Sequence, residues 1–253
     1  MRIVNDIVYG YENEAAQRLD VWLPDNNEFY AVVFIHGGGL EGGDKAHDEG
    51  HFSYLVSQGY AVVAPNYRMY PDARYPEYVE DSAKAVAWAF EHMKEYGNCK
   101  GIIVGGSSAG GYLSMMLCFD GRWLEPYGIK PTDIKAWLHI AGQPTCHFNY
   151  LKYERKLNPN RVIVDETSPL YHVGEVGKYS PMLFVVSHND MKNRYEQTML
   201  VLSAMKHFGH EKKTSLKIFE GTHCQYHKQS DENGNNILGI AECEFLERNI
   251  KND

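Results

Sequence analysis

Short runs of β-branched and other apolar residues recur along the chain. Each is followed by a loop bearing Gly, Pro or His and then by a longer stretch with helical periodicity. Two stretches of alternating apolar and polar residues, about 3–9 and 17–23, predict an antiparallel opening, with Pro24-Asp25-Asn26-Asn27 as the turn that follows. The continuous apolar runs 31–35, 60–64, 101–104 and 182–186 predict buried central strands, and strands near 134–140 and 214–219 complete a count of about eight. Helical patterns fall at about 48–58, 77–96, 109–119, 193–208 and 236–250, the second with Ala83, Val86, Ala87 and Phe90 on one face. Strand and helix in alternation predict an α/β fold: a mostly parallel sheet covered by helices on both faces.

Length and composition narrow this picture. The chain has 253 residues, 43% of them hydrophobic, enough to bury one large core, so a single domain over 1–253 is expected. The irregular stretch 142–180, rich in Pro, Asn, Tyr and His, is the place for a short cap or loop insertion near a pocket. Its Phe148, Tyr150, Tyr153 and Tyr171 are candidates to line that pocket. The formal net charge of −8 is scattered, and no basic stripe exists to neutralise phosphates, which argues against nucleic acid as a partner. The first twenty residues lack the apolar core of a secretory signal, and no run of about 18 apolar residues predicts a membrane span. Five cysteines, an odd number without CxxC spacing, read as free thiols, and a cytoplasmic location is expected. Neither a metal nor a cofactor is expected, since no His-Glu-x-x-His or paired CxxC places ligands on one face. Oligomeric state is not legible at this level.

Two segments carry chemistry. Ile102-Ile103-Val104 reads as a strand and 112–117 as a helix, and between them stands Gly106-Ser107-Ser108-Ala109-Gly110. A glycine on either side, two residues away, lets backbone and helix close tightly around a hydroxyl held on a sharp strand-to-helix turn, the nucleophile-elbow arrangement. Only Ser108 has Gly at both −2 and +2; Ser107 has Ala109 at +2. The plainer alternative is a flexible glycine turn, or an anion site at a helix N-terminus. The second segment, His36-Gly37-Gly38-Gly39, follows the strand 31–35. Such a loop aims backbone N–H groups at a substrate oxygen, so Gly38, Gly39 and Ala109, the residue after the nucleophile, are the candidate oxyanion donors. The spacing fits neither GxGxxG nor a P-loop.

On these residues, with Gly43-Asp44-Lys45, Asn66-Tyr67-Arg68 and Pro76, the sequence resembles the esterase/lipase branch of the α/β-hydrolase superfamily over nearly its whole length. Being compact, with no long N-terminal helical lid, it is similar to small bacterial carboxylesterases that remove acetyl or feruloyl groups from carbohydrates, and to kynurenine formamidases. It departs from that pattern at Leu40, where an aromatic residue is usual. The resemblance implies an acid after the strand that follows the insertion and a base after the last strand. Asp190, in Ser187-His188-Asn189-Asp190, and His223, in Glu220-Gly221-Thr222-His223, stand in those places. For Asp190 the competing reading is a cap on helix 193–208; for the base the rival is His227, and the other histidines are expected on surfaces or in local hydrogen bonds. The order Ser108, Asp190, His223 matches this fold.

The expected chemistry is acyl transfer through Ser108 on small, short-acyl carboxylic esters, with a small-molecule ester as the only partner implied. Amide hydrolysis by the same residues, as in an arylformamidase or a small aminoacyl peptidase, is the alternative. A non-catalytic binding protein on the same fold is the third reading.

Overall fold

A computed structural model describes residues 1–250. Eight strands form one sheet: β1 (Arg2–Val8), β2 (Arg18–Leu23), β3 (Glu28–Ile35), β4 (Ala61–Pro65), β5 (Asn98–Ser107), β6 (Trp137–Ile140), β7 (Met182–Asn189) and β8 (Thr214–Thr222). They lie in the order β1-β2-β4-β3-β5-β6-β7-β8, with β1 and β2 antiparallel to their neighbours and the other strands mutually parallel. Helices α1 (Glu49–Ser57), α2 (Glu77–His92), α3 (Ala109–Phe119), α4 (Phe148–Tyr153), α5 (Arg194–His207) and α6 (Ile237–Ile250) fill the connections. None of the helices among the described residues is long and apolar enough to cross a membrane.

The central strands carry continuous apolar runs because both of their faces are covered. Along β3 the side chains alternate between two cores. Ala31, Val33 and Ile35 pack with α2 and α3, while Val32 and Phe34 pack with α1 and α6. Each fully buried Val or Phe of this kind contributes about 1.5–3 kcal/mol. At the outer edge, β8 turns Ser215 and Lys217 to solvent, and an exposed lysine discourages edge-to-edge pairing.

The expected apolar face of α2 is displaced. Ala83 and Val86 are buried, but Ala87 and Phe90 are only partly so, and the buried stripe runs instead through Tyr78, Val79, Ser82, Ala83, Val86 and Ala89. A buried carboxylate explains the shift. Asp81 takes the Arg68 guanidinium at 2.7 and 2.8 Å and the Gln17 amide at 2.7 Å, so a charged position faces inward where periodicity alone would turn it out. The sequence pattern also did not predict α4, which is short and lies inside 142–180.

Candidate active site

The strand order puts the C-terminal ends of β3, β5, β7 and β8 along one rim, and the candidate residues sit there. Ser108 lies between the last residue of β5 and the first of α3, with φ 54° and ψ −110°, a conformation costing on the order of 1–3 kcal/mol for a non-glycine residue. Its N–H donates to the Ile140 carbonyl at 2.8 Å, fastening the turn to β6. The flanking glycines are required by contact. A Cβ on Gly110 would stand 1.9 Å from the Ile35 carbonyl oxygen, and one on Gly106 would stand 2.5 Å from that of Gly110. Ser107 is buried and faces Gly37.

His223 follows β8, and its Nε2 is 2.8 Å from Ser108 Oγ. Its Nδ1 is 2.5 Å from Asp190 Oδ1, at the end of β7. The two loops are tied by Ser187 Oγ donating to the Thr222 carbonyl at 2.8 Å. The Asp190 side chain is fully buried and also accepts from the N–H of Met191 at 2.7 Å and of Ser187 at 3.2 Å. Burial pushes this carboxyl up, but the His223 hydrogen bond and charge, with the two amides, outweigh it and hold the pKa below the usual aspartate value. Asp190 does not cap α5; that position belongs to Asn193.

The glycine loop after β3 turns back on itself. Gly38 has φ +111°, and a Cβ there would stand 1.9 Å from the Gly42 carbonyl oxygen. Its own carbonyl accepts from Glu41 and Gly42, both at 3.1 Å. The N–H groups of Gly38 and Gly39 meet no acceptor among the described residues, and neither does that of Ala109, an orphan donor at the start of α3. Three free donors beside Ser108 form an arrangement able to hold an oxyanion. His36 serves the loop as structure: its ring stacks on Tyr67 with centroids 4.5 Å apart, and burial lowers its pKa. Lys45 anchors the following turn on Asp20 at 2.6 Å, and Leu40, where the family pattern has an aromatic residue, is fully buried with φ 63°.

A cavity of about 370 Å³ opens over Ser108, bounded by Gly37–Gly39, Phe148, Met191, His223 and Cys224. Burial, with the charge of Asp190 second, pushes the Cys224 thiol up to about 12, so it does not compete as a nucleophile at neutral pH. Of the four aromatic residues expected near a pocket, Phe148 lines the Ser108 cavity and the three tyrosines do not. Tyr150 packs on Tyr75, Tyr153 packs on Tyr70 and bonds Glu41, and Tyr171 is exposed, because long aromatic side chains in this loop find partners in the loop 70–75 instead. Among the other histidines, His36, His147 and His172 are buried but make the local hydrogen bonds expected of them, whereas His51, His139 and His227 are buried against partners distant in sequence. Burial lowers His139 and His147 to about 3, which keeps them neutral. His227, the rival base, turns its Nδ1 to Asp48 at 3.1 Å.

Asn149 was missed by the sequence reading. Its amide donates to the Gly39 carbonyl at 2.6 Å and to Glu41 at 2.8 Å, pinning the glycine loop from α4. The partners lie 110 residues apart, and no local pattern marks such a contact. Among the described residues no group of three or more His, Cys, Asp or Glu side chains is arranged to hold a metal ion.

Two family models match. The prolyl oligopeptidase family model covers residues 74–253, and the BD-FAE model covers residues 19–125. Carboxylic ester hydrolase LipN of Mycobacterium tuberculosis is 38% identical over 110 residues, which is 42% of this chain and 29% of LipN. The matched regions span about a third of the length of such curated relatives. Among solved structures, Lactobacillus rhamnosis esterase B superposes with TM-score 0.78 at 18% identity, covering 98% of this chain and 87% of that one. Thermogutta terrifontis esterase 2 gives TM-score 0.78 at 22% identity, covering 97% and 94%. These likenesses establish the α/β-hydrolase fold.

Proposed function

The chain belongs to the prolyl oligopeptidase family of α/β-hydrolases, and from that premise we propose that it is a serine carboxylesterase acting on small, short-acyl esters. The observation that carries the reading is the continuous hydrogen-bond line from Ser108 Oγ through His223 to the buried Asp190, beside three unpaired N–H donors. The named esterases among its relatives add support. In this mechanism His223 Nε2 takes the hydroxyl proton as Ser108 Oγ attacks the ester carbon, and Asp190 orients and stabilises the imidazolium. The oxyanion is held by the N–H groups of Gly38, Gly39 and Ala109. The carbon–oxygen bond to the alcohol then breaks, His223 protonates the leaving oxygen, and a water molecule activated by His223 releases the acid and restores Ser108.

The experiment is turnover of 4-nitrophenyl acetate by the native chain and by Ser108→Ala, with a fluorophosphonate probe and mass analysis of the modified residue. The expected result is a loss on the order of a millionfold in kcat together with loss of labelling. Retention of most of the activity in Ser108→Ala would overturn the assignment. Peptidases name the family, and this specific finding keeps amide hydrolysis as a second reading. Turnover of matched acetyl anilide and acetyl phenyl ester substrates separates the two. The scattered acidic charge and the odd cysteine count support a cytoplasmic protein without nucleic-acid partners.

A further inference from the structure

A second cavity, of about 190 Å³, adjoins the one over Ser108, and Phe148 and Met191 line both. Three cations stand in its wall, Arg161, Lys192 and Arg194, and no carboxylate does, in a chain whose formal net charge is −8. Among the described residues none of the three forms a salt bridge, and none has a further partner that would supply one. Arg161 and Lys192 are exposed and their charges are solvated. Arg194 is different: it is 4% exposed.

A guanidinium offers five N–H donors. Arg194 gives one from Nη1 to the Ala141 carbonyl and one from Nη2 to Gln143 Oε1 at 3.4 Å, and Nη2 also lies 4.0 Å from the Met191 sulfur. Asp190 acts on this charge through space but makes no hydrogen bond or salt bridge with it, its oxygens being taken by His223, Met191 and Ser187. Burial lowers the pKa of Arg194 and outweighs the opposing charge of Asp190, which raises it.

The polar neighbours are turned the same way. Gln143 spends its amide N–H groups on Thr145 Oγ1 and the Cys146 carbonyl, which fixes its oxygen toward Arg194. Gln197 accepts at Oε1 from Thr145, and its own NH2 meets no acceptor among the described residues. Arg194 also opens α5, a 14-residue helix whose N-terminal dipole adds positive potential at the same place. A buried charge with no directly bonded counter-ion is costly, and an anion seated against it lowers that cost.

The geometry points to a subsite here for a carboxylate carried by the ester that Ser108 attacks. The substrate class is therefore acidic esters, either hemiesters of dicarboxylic acids or esters of hydroxy-carboxylates. This rests on the reading of Ser108 as nucleophile. The planar guanidinium fork suits a carboxylate, and the shared Phe148–Met191 wall puts the anion one short chain away from the reacting carbonyl.

The test compares two matched pairs of esters. One pair is 4-nitrophenyl hemiadipate and 4-nitrophenyl hexanoate, with the charge on the acyl side. The other is 4-acetoxybenzoate and its methyl ester, with the charge on the alcohol side. In one pair kcat/KM for the anionic member is expected to exceed that of the neutral member about tenfold or more, and that pair identifies the side occupied. The ratio is expected to fall toward one in Arg161→Gln/Lys192→Gln, two exposed positions that leave folding alone, and in Arg194→Met. Neutral members favoured in both pairs, or a ratio unmoved by the exposed double variant, would overturn the proposal. Calorimetric binding of adipate to Ser108→Ala separates the two failures. If no ester turns over but adipate binds and the exposed double substitution weakens that binding, the esterase reading fails and the subsite stands. If neutral esters turn over and adipate does not bind, the subsite fails alone.

Discussion

The segment 220–228 carries two imidazole–carboxylate pairs four residues apart, and they do different things. His223 is about a quarter exposed, holds the buried Asp190 through Nδ1, and turns Nε2 to the Ser108 hydroxyl in an open cavity. The His227 side chain is 5% exposed, holds Asp48 through Nδ1, and leaves Nε2 buried with no hydrogen-bond partner among the described residues. His227 stands in the wall between the Ser108 cavity and a wider hollow of about 600 Å³ over α1. In both pairs burial pushes the carboxyl up, and the imidazole contact brings its pKa below the usual value. The pairing is therefore not what distinguishes the two. What distinguishes them is the group waiting at the far nitrogen and the room for a substrate beside it.

Substitution of each histidine sharpens this contrast. His223→Ala is expected to lower kcat on the order of a millionfold, because nucleophile and base act as a unit. Its effect on stability is expected to be small, since Asp190 keeps two backbone donors and water can enter from the open side. His227→Ala is expected to do the reverse. It removes the one hydrogen bond that the nearly buried Asp48 carboxylate makes among the described residues, destabilising the fold by about 3 kcal/mol in urea unfolding, while turnover stays within about tenfold of native. Equal losses of turnover in the two variants would erase the distinction.

The smallest expected effect is in acid. A depressed folded-state pKa means that stability from Asp48 and Asp190 is fully present above about pH 4, the unfolded value, and is lost as pH falls through the folded values. Asp48→Asn is therefore expected to unfold with a shallower dependence on pH below about 4 than the native chain. Urea titrations at a series of pH values read that slope, and an unchanged slope would show that Asp48 is not depressed.

Much of this architecture was legible because the governing signals are local. Continuous apolar runs marked β3, β4, β5 and β7, and the elbow and the glycine loop are contiguous motifs whose backbone demands are written in glycines. What escaped was long-range or concealed by charge. Asp81 and Arg194 sit at inward positions of helices, yet any periodicity rule assigns charged residues to solvent. The tyrosines of 142–180 were aromatic residues near a pocket in sequence, but Tyr150 and Tyr153 spend their rings on Tyr75 and Tyr70. Asn149, reaching the Gly39 carbonyl from α4, belongs to the same class of contact.

The order of the triad along the chain has a consequence during synthesis. Ser108 precedes the histidine it contacts by 115 residues. At roughly 5–20 residues per second, the serine emerges on the order of ten seconds before that imidazole exists to take its proton. Throughout that interval the nascent chain carries an ordinary alcohol, so a half-made polypeptide cannot attack esters around it. If Ser108 and His223 act as proposed, reactivity switches on only when β8 has docked on β7, and esterase turnover would then report complete sheet assembly in any refolding experiment.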